Sequence, residues 1–239
     1  YVSDRSLPRM FYISKLDEEH ADFVGTAASL REAFGSSVCP IMLPIVDGGK
    51  LTGYVDIAKN KAYAFDGKAY AETAIPDDLA DQVEEYRMAL TEAIAETDDD
   101  LMEKFFAEEP FTDEEYLTGI KAGVTAGTLA PVMGGCYVNG FGTLPLIDAI
   151  IGYVPSPLEV KAEQGEDANG NTVEVKPDPN GPTCAFVFKT VTDQYGRFSF
   201  FKVVSGKVTS DMTLVNSRTG ENEKIGHIYV VRGKKNIEV

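Results

Sequence analysis

Two runs of consecutive apolar residues, Met10-Phe11-Tyr12-Ile13 and Leu129 to Met133, constrain the fold of this chain more than any other feature. Successive side chains of a strand point to opposite faces, so an unbroken apolar run reads as a strand covered on both sides, as in the middle of a parallel sheet. A short loop and a helical pattern from about Ala21 to Phe34 follow the first run, with Gly35 as the stop. The second run leads through Gly134-Gly135-Cys136-Tyr137-Val138 into a helix carrying Leu144, Ile147, Ile150 and Ile151, which Pro155-Ser156-Pro157 must end. Strand, loop and helix, given twice, make an α/β fold, and what separates the two units is an insert.

Within residues 36–125 the pattern is α+β. Apolar runs at Val38 to Ile45, Leu51 to Ala58 and Lys61 to Phe65, parted by Asp47-Gly48-Gly49 and Lys59-Asn60, predict a small sheet with tight turns. The period then changes from 2 to 3.6. Leu79, Val83, Tyr86, Leu90 and Ile94 mark one helix behind Pro76, and Leu101, Met102, Phe105 and Phe106 mark a second. Thr112-Asp113-Glu114-Glu115 is a capping box that opens a third, with Tyr116, Leu117, Ile120 and Val124 inward. The α/β part thus comprises 1–35 and 126–157. Residues 158–181 are polar and rich in Gly, Pro and Asn, a linker with one hairpin turn at Asn169-Gly170. From 182 to 239 only strands are expected, at Cys184 to Val191, Arg197 to Val204, Met212 to Asn216 and Lys224 to Val231, spaced as in an all-β barrel-like domain.

With 239 residues, 44% of them apolar, the chain can bury the cores of two or three packed units. No apolar run approaches the roughly 20 residues of a membrane-spanning helix. The opening Tyr1-Val2-Ser3-Asp4-Arg5 has no signal-peptide pattern and no Met, as expected of an excised fragment. Cys39, Cys136 and Cys184 are odd in number and far apart, which suits reduced cytoplasmic thiols; with only His20 and His227 besides, no metal site is expected. The net charge of −16 argues against a chain that grips nucleic acid as a whole. Its distribution is uneven: between Glu72 and Glu115, 17 Asp or Glu stand against Arg87 and Lys104. Such a run is a solvated helix face or a surface that steers a basic partner.

Chemistry concentrates in the two loops. Ser14-Lys15-Leu16-Asp17 lies where GTPases carry Asn-Lys-x-Asp after a strand. An Asp carboxylate only accepts hydrogen bonds, and guanine offers it two adjacent donors, the ring N–H and the exocyclic amine; adenine has no such pair. The Lys stem covers one face of the base. Cys136 and Tyr137 occupy the place of Ser-Ala in the loop whose backbone N–H meets the guanine carbonyl oxygen. Cys136 is a near isostere of Ser, whereas the Tyr137 ring must swing outward or fill part of the pocket.

Beyond these loops, Pro8-Arg9-Met10, Ala21-Asp22-Phe23, Leu43-Pro44-Ile45, Gly53-Tyr54-Val55-Asp56, Ile75-Pro76-Asp77-Asp78-Leu79, Ala95-Glu96-Thr97-Asp98-Asp99, Pro145-Leu146-Ile147-Asp148-Ala149, Pro155-Ser156-Pro157-Leu158 and Pro177-Asp178-Pro179-Asn180-Gly181-Pro182 follow one another in an order that resembles the translational GTPases of the elongation factor G family. The 119 positions between Asp17 and Cys136 exceed the usual interval by the length of the insert called G′ in that family.

The resemblance implies the C-terminal part of a GTP-binding domain with its G′ insert, then the start of domain II, a barrel left incomplete. It also implies a cytoplasmic parent protein that hydrolyses GTP, with Mg²⁺, to move tRNA and mRNA on the ribosome. Its insert would meet the ribosomal stalk protein, and Phe198 and Phe200 of domain II are core residues first and a ribosomal RNA contact second. Ser14, Lys15, Asp17, Cys136 and Tyr137 would bind GTP or GDP, with Ser14 in place of Asn weakening the grip. The sequence contains no Gly-x-x-x-x-Gly-Lys-Ser/Thr. Asp193-Gln194-Tyr195-Gly196 mimics the Asp-x-x-Gly of a switch region but reads as a turn between strands. No catalytic residue is therefore expected here, tight nucleotide binding is not expected, and the fragment alone should not hydrolyse GTP. The alternative is a degenerate relative that acts as a ribosome-binding or ribosome-protection factor.

Overall fold

The computed structural model describes residues 2–167, 169–194 and 196–239, apart from the side chains of Ser3 and Asp193. Two compact units divide it, Tyr1–Ser156 and Pro157–Val239.

The first unit begins with β1 (Phe11–Ile13), α1 (Phe23–Phe34) and β2 (Val38–Pro40). It continues as a meander of β3 (Met42–Asp47), β4 (Lys50–Asp56), β5 (Lys61–Phe65) and β6 (Tyr70–Thr73). Three helices follow, α2 (Ala80–Ala95), α3 (Asp99–Phe106) and α4 (Asp113–Ala126), before β7 (Ala130–Gly134) and α5 (Thr143–Tyr153). One sheet is parallel, in the order β1-β7-β2, and the other antiparallel, β3-β4-β5-β6. Central β7 is buried at every position, whereas β1, expected inside a sheet, is a half-buried edge strand among the described residues.

Local rules account for the element ends. Asp22 caps α1, its carboxylate accepting the Gly25 N–H at 2.8 Å, and Gly35 ends it at φ 89°. Between β3 and β4 the register pairs Asp47 with Lys50, so Gly48 and Gly49 form a two-residue turn, and their φ values of 54° and 78° are those a type I′ turn demands. The capping box of α4 is complete: Glu115 N–H donates to Thr112 Oγ1 at 3.2 Å and Thr112 N–H to the Glu115 carboxylate at 2.7 Å.

Val83, Tyr86, Leu90 and Ile94 of α2 are buried, as the 3.6-residue period requires. They meet Ile120 and Val124 of α4, Met42 and Val55 of the meander and Val132 of β7 in one continuous core. Three expectations change. Val38 to Pro40 pairs with β7 in the parallel sheet and does not belong to the meander, which starts at Met42. Leu117, expected inward, is exposed, as is Phe106 of α3; on α4 Gly119 and Gly123 take the inner face, where a Cβ would strike Ile94 of α2 and Leu129 just before β7. On α5 the buried positions are Pro145 and Ala149, while Leu144, Ile147, Ile150 and Ile151 are exposed.

The second unit is all-β. It consists of the antiparallel pairs β8 (Glu163–Glu166) with β9 (Thr172–Val175), β10 (Cys184–Asp193) with β11 (Gly196–Ser205), β12 (Thr213–Val215) with β13 (Asn222–Lys224), and β14 (Tyr229–Arg232) with β15 (Lys235–Glu238). The segment 158–181 thus holds a hairpin, whose loop Asp167 fastens by accepting from the Asn169 and Asn171 N–H groups. The single strand expected over Lys224 to Val231 is two separate ones. Phe198 and Phe200 share one half-buried side of β11, with the Phe198 ring 6.4 Å from Tyr229. Asp193 pairs with Gly196, so the Asp193-Gln194-Tyr195-Gly196 stretch closes a hairpin, although Tyr195 itself lies outside the described residues.

Candidate functional site

Phe11, Tyr12 and Ile13 of β1 lie opposite Val132, Met133 and Gly134 of β7 in parallel register. Both strands therefore end at the same edge of the sheet, and the Ser14 to Asp17 loop and the Gly135 to Tyr137 loop emerge side by side. Two backbone bonds fasten them: Gly135 N–H donates to the Ile13 carbonyl at 3.0 Å, and Leu16 N–H to the Gly135 carbonyl at 3.2 Å.

In the first loop Leu16 is the buried anchor, and Ser14, Lys15 and Asp17 around it are exposed. Lys15 adopts φ 63°, in the left-handed region, which reverses the chain sharply; the Glu18 N–H closes the turn on the Lys15 carbonyl at 3.1 Å. The Lys15 ammonium stands 3.6 Å from the Glu18 carboxylate in solvent, a pair that contributes little to stability. Its long stem is free to lie along a flat ring.

The second loop is closed on itself. Cys136 is buried, its N–H donating to the Phe141 carbonyl at 3.0 Å and its thiol to Asn139 Oδ1 at 2.8 Å. That same Asn139 oxygen accepts the Phe141 N–H at 2.9 Å. Tyr137 is 85% exposed, so its ring swings outward and occupies no pocket. Among the described residues its N–H has no partner.

Glycine is required where these loops touch. A Cβ at Gly135 would strike the Tyr12 hydroxyl and the Phe141 carbonyl, and one at Gly142, which sits at φ 81°, would strike the Gly134 carbonyl. The Tyr12 hydroxyl is held neutral, its pKa raised first by burial and then by the neighbouring Cys136 and Tyr70. From the meander, the Tyr70 hydroxyl accepts the Gly142 N–H at 2.8 Å.

The arrangement presents an exposed carboxylate on one loop and an unpartnered backbone donor on the other, at one end of one sheet. A planar ring with two adjacent N–H donors and a neighbouring carbonyl is complementary to that set. Sequence reasoning missed Asn139, Phe141, Gly142 and Tyr70; only the Asn139-Gly140 pair, a turn signal, hinted at a closed loop. No group of three or more His, Cys, Asp or Glu is placed to hold a metal ion among the described residues, and no helix there is long and apolar enough to cross a membrane.

Comparison with known proteins bears on the whole chain. The family described as elongation factor G domain 2 matches residues 182–239. Over its full length the chain is similar to the crystal structure of a protein from Thermus thermophilus, with 30% sequence identity and a TM-score of 0.77. It spans 33% of the length of that protein. The domain match in the C-terminal unit and the shared fold of all 239 residues together give one conclusion: residues 182–239 are an elongation factor G domain 2, and the chain as a whole resembles a fragment of that family.

Proposed function

We propose that this chain is the guanine-reading part of an elongation factor G-like GTPase that promotes movement of tRNA and mRNA on the ribosome. The observation that carries the reading is the pairing of the two loops: the bonds from Leu16 and Gly135 hold the Asp17 loop against the loop of the Tyr137 N–H. In this reading Asp17 accepts from the guanine ring N–H and amine, the Tyr137 N–H donates to the guanine carbonyl oxygen, and Lys15 covers one face of the ring. Cys136 shapes the loop from inside, and Ser14 supplies a shorter polar group than the family's Asn. GTP or GDP, with Mg²⁺ at the phosphates, is the ligand of the parent protein, and phosphoryl transfer belongs to groups outside these loops.

The acidic helices α2 to α4 are the docking platform for the ribosomal stalk protein, and the all-β unit is the side that meets ribosomal RNA. The parent protein works in the cytoplasm, where ribosomes are.

Asp17→Asn in the full-length protein tests the base-reading assignment. An amide offers one donor and one acceptor where the carboxylate offers two acceptors, which suits xanthine, whose position 2 is a carbonyl. GDP affinity should fall by at least tenfold while xanthosine diphosphate binds better. Unchanged GDP affinity would sink the assignment.

A further inference from the structure

The peptide unit between Phe141 and Gly142 is held on both sides. Its carbonyl accepts the Cys136 N–H at 3.0 Å, and its N–H donates to the Tyr70 hydroxyl at 2.8 Å. Cys136 immediately precedes Tyr137, whose N–H is the donor left without a partner among the described residues. Tyr70 opens β6, the outermost strand of the meander, and is 72 positions away from Gly142 in sequence. Its ring is fixed from several directions: it stacks on Phe65 at 4.8 Å, meets Tyr54 edge-on at 5.2 Å and lies 6.3 Å from Phe141, while Phe65 in turn meets Phe141 edge-on at 5.6 Å. Phe141 is fully buried.

A hydroxyl on so constrained a ring has little freedom to follow a moving partner, so the bond transmits the position of the meander to the loop. Because the peptide is planar and rigid, fixing its N–H also aims its carbonyl, and the carbonyl fixes Cys136. We propose that Tyr70 is a positioning residue for base recognition: through the Phe141–Gly142 peptide it holds the Cys136–Tyr137 loop with its free N–H aimed at the carbonyl oxygen of the base. The inference rests on the reading of these loops as a guanine site. It assigns to the insert a role in nucleotide recognition separate from the docking role of its helices.

The test is Tyr70→Phe in the full-length protein, which removes one oxygen and leaves every ring contact in place. GDP affinity should fall roughly threefold to tenfold, the effect of one misdirected hydrogen bond. With 6-thioguanosine diphosphate, whose sulfur is a poor acceptor for the Tyr137 N–H but whose ring N–H and amine still reach Asp17, the loss should stay under about twofold. Amide exchange over 136–142 should speed up, with that of α2 and α4 unchanged. Equal losses for both nucleotides, or exchange that rises across the whole unit, would show a merely structural residue and overturn the inference. Normal GDP binding by Tyr70→Phe overturns it too and leaves the guanine site standing. Failure of the unsubstituted protein to bind GDP at all overturns both.

Discussion

Ser14 is the position where this chain departs furthest in chemistry from what a guanine site uses. Its hydroxyl is exposed and shorter than an amide, which can donate and accept at once. Ser14→Asn in the full-length protein should tighten GDP binding by a few-fold, read by isothermal titration; no gain would mean that the loop geometry, set by the buried Leu16 and the left-handed Lys15, does not bring position 14 to the base. Tyr137 departs as well, but under the proposed reading the contact asked of it falls to its backbone, and its ring lies in solvent. Both departures were visible in the sequence. What was hidden at this scale was the support: Asn139 left only a local turn signal for its bond to Cys136, and Gly142 matters through a bond to the distant Tyr70 that no local pattern encodes.

Among the elements, α4 shows the clearest link from sequence to energetics. Glu115 closes its capping box and also meets the Lys104 ammonium at 2.7 Å, so α3 and α4 share a charge pair. The Lys104 bond first, and the Thr112 N–H second, hold the Glu115 carboxyl well below its ordinary value of 4.5, at about 2. A depressed carboxyl stabilises the fold above the unfolded-state value and loses that contribution as pH falls from about 4.5 toward 2. Glu115→Gln keeps a capping oxygen but not the charge. Its melting temperature should therefore lie below that of the unsubstituted chain at neutral pH, with the gap closing through this acid range; a gap independent of pH would contradict the assignment. Periodic elements such as α2 and the α4 cap were legible because their signals are local. Val38 to Ile45 was not, since one apolar run passes from the parallel sheet into the meander. The crossing point is Ile41, whose N–H bonds Val132 of β7 while its carbonyl accepts from Ile57 after β4, and composition alone cannot mark it. Exposure of Leu117 was equally unreadable, because glycines on the other face of α4 decided which side could approach α2.

For the whole molecule, the decisive quantity is how the charge of −16 is placed. The surplus sits on the α2 to α4 region, so under the proposed docking a long-range field should dominate the approach of a basic partner. Titration with the ribosomal stalk protein should show binding whose association rate drops steeply between about 50 and 500 mM salt, as screening lengths shorten. Binding indifferent to salt would remove the electrostatic argument. The same region raises a question of ancestry. The chain leaves the parallel sheet after β2 and rejoins it at β7, its hydrogen-bonded neighbour, and α4 comes just before that return. Without the meander, α2 and α3, what remains is β2, α4 and β7, an ordinary parallel crossover. Everything from β3 to α3 can thus be viewed as a graft lodged in one connection, at a junction where added length costs little entropy. Its Met42, Val55, Leu90 and Ile94 share one continuous core with Val132 and Ile120 of the host, and its Tyr70 hydroxyl holds the Phe141–Gly142 peptide, so trimming it away should cost the host part of its core and, under the proposed reading, the aim of the base-reading loop.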